Sequence, residues 1–93
     1  MIVRTYGLFD KKAKNFTRTF TSENDETADR AAKYIVREKN FDVITGKDLI
    51  VMHMFDFETK TGLIVGNDVH DVCDLEDAYQ EFLKEQEKHG EDK

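Results

Sequence analysis

From Met1 to Phe9 the chain (MIVRTYGLF) is rich in β-branched and aromatic residues, which predicts a strand. A polar turn follows at Asp10–Lys14. Asn15–Thr21 (NFTRTFT) then alternates cleanly, so Phe16, Arg18 and Phe20 fall on one face and Thr17, Thr19 and Thr21 on the other. The two segments predict a β-hairpin. Ser22, Asn24 and Asp25 are each good N-cap residues, and acids here suit the positive end of a helix. Ala28, Ala31, Ala32, Ile35 and Val36 recur at helical spacing, with Arg30, Lys33 and Arg37 on the solvated flank. That helix should end near Lys39–Asn40.

Phe41–Lys47 (FDVITGK) fits either a loop or a short strand closed by Gly46. Asp48–Phe57 (DLIVMHMFDF) is the most apolar run and predicts a central strand. Glu58–Gly62 reads as a hairpin turn with glycine where a left-handed residue is wanted, and Leu63–Gly66 as the returning strand. Asn67–Asp74 reads as a polar connection. Leu75, Ala78, Tyr79, Phe82 and Leu83 form a second helical stripe, capped by Asp74 and stopped at Gly90, with residues 90–93 as a frayed acidic tail.

The order is therefore strand, strand, helix, and then the same again. Residues 6–10 (YGLFD) and 52–56 (MHMFD) each bring a Phe-Asp to a hairpin corner. Ancestral duplication and convergence on hairpin grammar both account for the repeat. One such unit cannot bury its own helix and sheet face, whereas two can share a core. The expected fold is a single α+β domain over residues 1–89. It has the order ββαββα, a four-stranded, mainly antiparallel sheet and two helices on one face.

At 93 residues, one domain is expected, burying roughly 60–65% of its unfolded surface. No run of about 18 apolar residues and no signal-peptide pattern is present, so neither membrane insertion nor secretion is expected. The single cysteine, Cys73, cannot close a disulfide within the chain, which points to a reducing, cytoplasmic setting. The net charge of −6 is unevenly placed. Residues 1–47 hold ten Lys/Arg against seven Asp/Glu, and residues 48–93 hold four against thirteen. A ligand meets such a local field more than the total.

Chemistry is sparse. The carboxylates are scattered over helix ends and turns, not paired across a cleft. Ser22 is the only serine and sits at a helix cap, which leaves no Ser-His-Asp arrangement. Asp68, His70, Asp71 and Asp74 are of metal-ligating type, but their dense spacing matches no calcium loop, and a polar loop feeding a helix fits better. His53 should point away from Met52 and Met54 as a satisfied, half-exposed strand histidine. Five glycines are spread singly, so no phosphate loop is present. The expectation is a protein that is not an enzyme, with no metal and no cofactor.

The basic hairpin is the stronger candidate. Arg4, Lys11, Lys12, Lys14 and Arg18 lie on or beside it, and Phe16 and Phe20 flank Arg18. Cations can track a phosphate backbone while aromatic rings stack on unpaired bases. Alternatively, Phe16 and Phe20 are core, with Arg18 reaching outward from an edge strand. Self-association is a third expectation. The first and third strands carry apolar residues on both faces: Ile2, Tyr6 and Leu8 against Val3 and Phe9, and Leu49, Val51 and Phe55 against Ile50, Met52 and Met54. Helices on one side would leave an apolar face exposed, and a homodimer would cover it.

The runs FDKKAKNFTRTFTSENDETADRAAKYIV and DLIVMHMFDFETKTGLI resemble the small non-structural protein of single-stranded-DNA phages of the Microviridae, in the gokushovirus-like group. Shared features are the Tyr and Phe-Asp opening, the aromatic return strand, Asn-Asp before an Ala-rich helix, and a later Phe-Asp…Thr-Gly hairpin. The resemblance covers residues 3–65, and the acidic last third has no counterpart in it. It implies a DNA-binding or DNA-synthesis accessory in the host cytoplasm, with no catalytic residue to carry over. The expected function is sequence-tolerant binding of single-stranded DNA through Arg4, Lys11, Lys12, Lys14, Phe16, Arg18 and Phe20, assisting genome replication or packaging. The alternative is a small dimeric module that engages a phage or host protein.

Overall fold

The computed structural model describes residues 1–38, 41, 42 and 46–91, the last four as backbone. The elements are β1 (Ile2–Asp10), β2 (Asn15–Ser22), α1 (Asp25–Ile35), β3 (Leu49–Glu58), β4 (Ile64–Gly66), β5 (His70–Asp74) and α2 (Leu75–Glu91). The class is α+β, with a sheet of order β2-β1-β3-β4, and β5 pairing the same edge of β3 as β4. Every pairing is antiparallel.

Three expectations are corrected. The sheet has five strands, not four, because the polar connection Asn67–Asp74 contains β5. β4 meets β3 at Asp56 and Phe57, and β5 meets it at Ile50–His53. β4 and β5 thus behave as one outer strand broken at Asn67–Val69. Second, α1 stops at Ile35, with Val36 as its C-cap, short of Lys39–Asn40, which lie outside the described residues. Residues 43–45 of the ambiguous Phe41–Lys47 segment lie outside them too. α2 runs through Gly90 instead of stopping there.

The caps are as the side chains allow. Asn24 Oδ1 accepts from the Thr27 backbone N–H at 2.8 Å and opens α1, and Asp74 Oδ1 accepts from Glu76 N–H at 2.9 Å and opens α2. Asp10 Oδ1 accepts from the N–H groups of Lys12 and Ala13, folding the β1–β2 turn, and Lys14 closes it at φ 59°. Gly62 at φ 74° does the same for the β3–β4 turn, where a side chain would be strained.

The core lies on one side of the sheet. Tyr6, Leu8 and Val51 pack there with Ala28, Ala32 and Val36 of α1 and its cap, and with Leu75 and Ala78 of α2. Four irregularities in register decide what faces the other side. In β2, Thr17 is an extra residue: Arg18 stands opposite Leu8, but Phe16 stands opposite Phe9. In β3, Met54 is extra, so His53 opposes Tyr6 while Phe55 opposes Thr5. Val65 and Val72 are the extra residues of β4 and β5. A bulge of this kind reverses the side-chain alternation beyond it. The expected face of Phe16, Arg18 and Phe20 is therefore split. Phe55 likewise joins the Met52 side, not the Val51 side.

Candidate functional site

The seven candidate nucleic-acid residues do not form one surface. Arg4 lies on β1 opposite Ser22, six residues from the turn and so roughly 20 Å along the strand. Its guanidinium is 3.5 Å from Asp25. Lys11 is tied to Asp74, at 3.2 Å, an acid from the distant acidic half. Lys12 and Lys14 sit exposed in the turn with no ion pair among the described residues. Phe16 lies beside them, 39% exposed, edge-on to Phe9 with ring centroids 5.1 Å apart. Phe20 is on the opposite face, stacked on Tyr6 at 5.7 Å against the core. Arg18 shares that face and borders a cleft of about 320 Å³ with Ile35, Phe41 and Leu49, where Glu38 and Asp42 bring negative charge. Lys12, Lys14 and Phe16 thus form one corner, and the other four stand elsewhere.

A second basic surface exists on α1. Arg30, Lys33 and Arg37 surround Tyr34, which is 66% exposed. Each cation has a carboxylate close by: Glu26 at 3.6 Å, Asp29 at 3.1 Å and Glu85 at 2.6 Å. Its net field is correspondingly small.

The side of the sheet away from the helices carries an apolar cluster of its own. Phe9, Ile50, Met52, Phe55 and Phe57 lie on it by register and Met54 by its approach to Gly7; all are half-buried, and none belongs to the helix-side core. The Phe55 and Phe57 rings are 6.3 Å apart. Gly7 lies at its centre because the surface needs it there. A Cβ on Gly7 would come within 2.6 Å of Met54 Sδ and 2.8 Å of a Phe16 ring carbon.

A polar network on the helix side escaped the sequence reading. Asp25 Oδ1 accepts from the Tyr6 hydroxyl at 2.7 Å, and its Oδ2 lies 2.7 Å from His70 Nε2. Both His70 Nδ1 (2.9 Å) and His53 Nδ1 (2.5 Å) face the Asp68 backbone oxygen, and His53 Nε2 faces Asp56 Oδ1 at 2.7 Å. The two imidazoles stack at 5.1 Å. Burial would raise the Asp25 carboxyl, but hydrogen bonds from His70 and Tyr6 outweigh it and hold the group below its ordinary value. The bond to Asp25 is the main cause that raises His70. Burial first, and then the bond to Asp25, push Tyr6 up to about 12.

His53 points away from both methionines, as expected, but it is buried at 2% exposure instead of half-exposed. The loop acids are dispersed: Asp68 toward His70, and Asp74 toward Lys11 and the α2 cap. Among the described residues, no group of three or more His, Cys, Asp or Glu side chains is arranged to hold a metal ion. Burial pushes the Cys73 thiol up to about 12, so it carries its proton at neutral pH. No helix among the described residues is long and apolar enough to cross a membrane.

A scan against models of known protein families finds no match, and searches of curated proteins and of solved structures find none either.

Proposed function

We propose that this chain is a non-enzymatic interaction module whose working surface is the uncovered face of the sheet. What carries the reading is an apolar centre of Phe9, Met52, Met54, Phe55 and Phe57 that, among the described residues, neither helix reaches. Contiguous apolar patches of this kind mark sites where a protein partner docks. Such a surface is separable from folding. Met52→Glu, at sub-micromolar protein, is expected to keep the far-UV circular dichroism and a melting temperature within a few degrees of wild type. The carboxylate can stay in water at an open position, whereas a core carboxylate would be stranded. An unfolded Met52→Glu would show the face to be core and end the reading.

A second reading has its own observation: Lys12, Lys14 and Phe16 share the hairpin corner, and among the described residues neither lysine has an ion pair. This corner suits sequence-tolerant contact with single-stranded DNA, the accessory role implied by the phage proteins that residues 3–65 resemble. Arg4, Lys11 and Phe20 are outside that reduced site. Arg18, on the helix side of the sheet, is outside it too, so about two phosphates are neutralised and log affinity should fall against log salt with a slope of about −1.4. Lys12→Glu with Lys14→Glu should abolish the mobility shift of an oligonucleotide. No retardation of the wild type even at low salt would remove this reading and leave the first untouched.

A further inference from the structure

Resting on the open-face reading, we propose that its occupant is a second copy of this chain, closed sheet on sheet about a twofold axis that runs along the strands.

The centre of the face suits self-pairing because it carries no charge. Phe9, Ile50, Met52, Phe55 and Phe57 can meet their own copies with no ionised group taken out of water. Two sheets stacked this way lie about 10 Å apart with strands turned by roughly 30°. β1 and β3 are nine and ten residues long, and the sheet is four strands wide at any level. That gives a face of roughly 30 by 20 Å, or on the order of 600 Å². The footprint falls somewhat below the ~800 Å² per partner of a standard stable interface. The pair should therefore be reversible and dependent on concentration.

Charge at the rim selects the axis. The turn lysines Lys12 and Lys14 lie at the β2 side of the face. Asp71, opposite Met52 in register, lies on the β5 side, at the other edge of the sheet. Lys12, Lys14 and Asp71 make no ion pair among the described residues. A twofold along the strands exchanges the two edges and keeps the strand ends together. It brings the basic corner of one copy over the acidic β5 edge of the other, twice. A twofold across the strands would lay each β5 edge over its own copy, acid toward acid, and send the lysines to the far end of β2, at Ser22. Complementary rims favour the first arrangement.

Sedimentation of the full chain tests this over about 1 to 200 µM, because mass action makes a reversible pair concentration-dependent. The expected result is a monomer–dimer equilibrium. Met52→Glu should be monomeric throughout. Lys12→Glu with Lys14→Glu, on the surface and harmless to folding, should weaken the dimer at least tenfold at low salt. Adding Asp71→Lys to that pair should restore it. A wild type that is monomeric at every concentration overturns the proposal. So does a dimer indifferent to Met52→Glu or to the charge reversals. A monomeric wild type whose Met52→Glu variant folds normally overturns the second copy alone and leaves the face free for another partner. An unfolded Met52→Glu removes the open-face reading beneath it.

Discussion

His53→Ala is expected to destabilise the protein by about 3 kcal/mol, which lowers the melting temperature by roughly 10–20 °C for a domain of this size. The ring is 2% exposed and packs edge-on to Tyr6 at 5.3 Å and flat on His70 at 5.1 Å. Truncation removes that packing, leaves a cavity, and takes the ring nitrogens away from the Asp56 carboxylate and from the Asp68 carbonyl, which keeps only His70 Nδ1. The damage should be localised first. β4 touches β3 at only two register positions, and the outer strand leaves β3 altogether at Asn67–Val69. His53 bridges that break by reaching the Asp68 oxygen where no ladder bond can. Amide exchange in β4 should therefore accelerate more than exchange in β1. His53→Phe, which refills the volume without the hydrogen bonds, should recover only part of the loss. A melting temperature within 3 °C of wild type for His53→Ala would mean that the break needs no bridge.

The features that were legible in the sequence are those set by neighbours. The Asp10–Lys14 turn, the Asp74 cap, the alanine stripe of α1 and the strands on either side of Gly62 all follow from local side-chain chemistry, whereas the choice of Asn24 over Ser22 and Asp25 as the α1 cap does not. The bulges were not legible. Nothing in NFTRTFT distinguishes a regular strand from one in which Thr17 is extra, because the extra residue answers the geometry of β1 and the turn, not any property of threonine. That single residue separates Phe16 from Phe20 and so dismantles a platform that alternation alone assembled. β5 looked like a loop because HDVCD is polar. A ten-residue β3 next to a three-residue β4 leaves backbone donors and acceptors along its edge, and the chain that returns past them pairs with them despite its composition. Ion pairs across long separations, Lys11 with Asp74 and Arg4 with Asp25, depend on the whole topology and carry no signal in a window. They bear directly on the candidate site, because they remove two of the expected free cations. The apolar residues on both faces of β1 and β3 were visible in the sequence, although the Met54 bulge was needed to assign Phe55.

Asp25→Ala is expected to cost about 1–3 kcal/mol, chiefly because the Tyr6 hydroxyl, at the end of a fully buried ring, loses its acceptor. It should also change how stability depends on pH. Asp25 is held below its unperturbed value of 3.8, so its contribution is present above that value and is lost as pH falls through the folded-state value. His70 is raised above its unperturbed 6.5, so its contribution is complete below 6.5 and is lost as pH rises through the folded-state value. The pair therefore stabilises most between about 4 and 6.5 and fades toward alkaline pH. Both side chains are more than a third exposed, which limits this part to at most about 1 kcal/mol. Differences between variant and wild type, measured by thermal unfolding from pH 4 to 9, cancel the remaining ionisable groups. Asp25→Asn separates the two effects. Its amide oxygen can still accept from Tyr6, so the loss near pH 8 should be small. It has no charge to hold His70 protonated, so the gap to wild type should widen as pH drops from 8 to 5.5. A gap for Asp25→Asn that stays constant over that interval would show that His70 gains nothing from Asp25, and that the junction of α1 with β5 is held by packing alone.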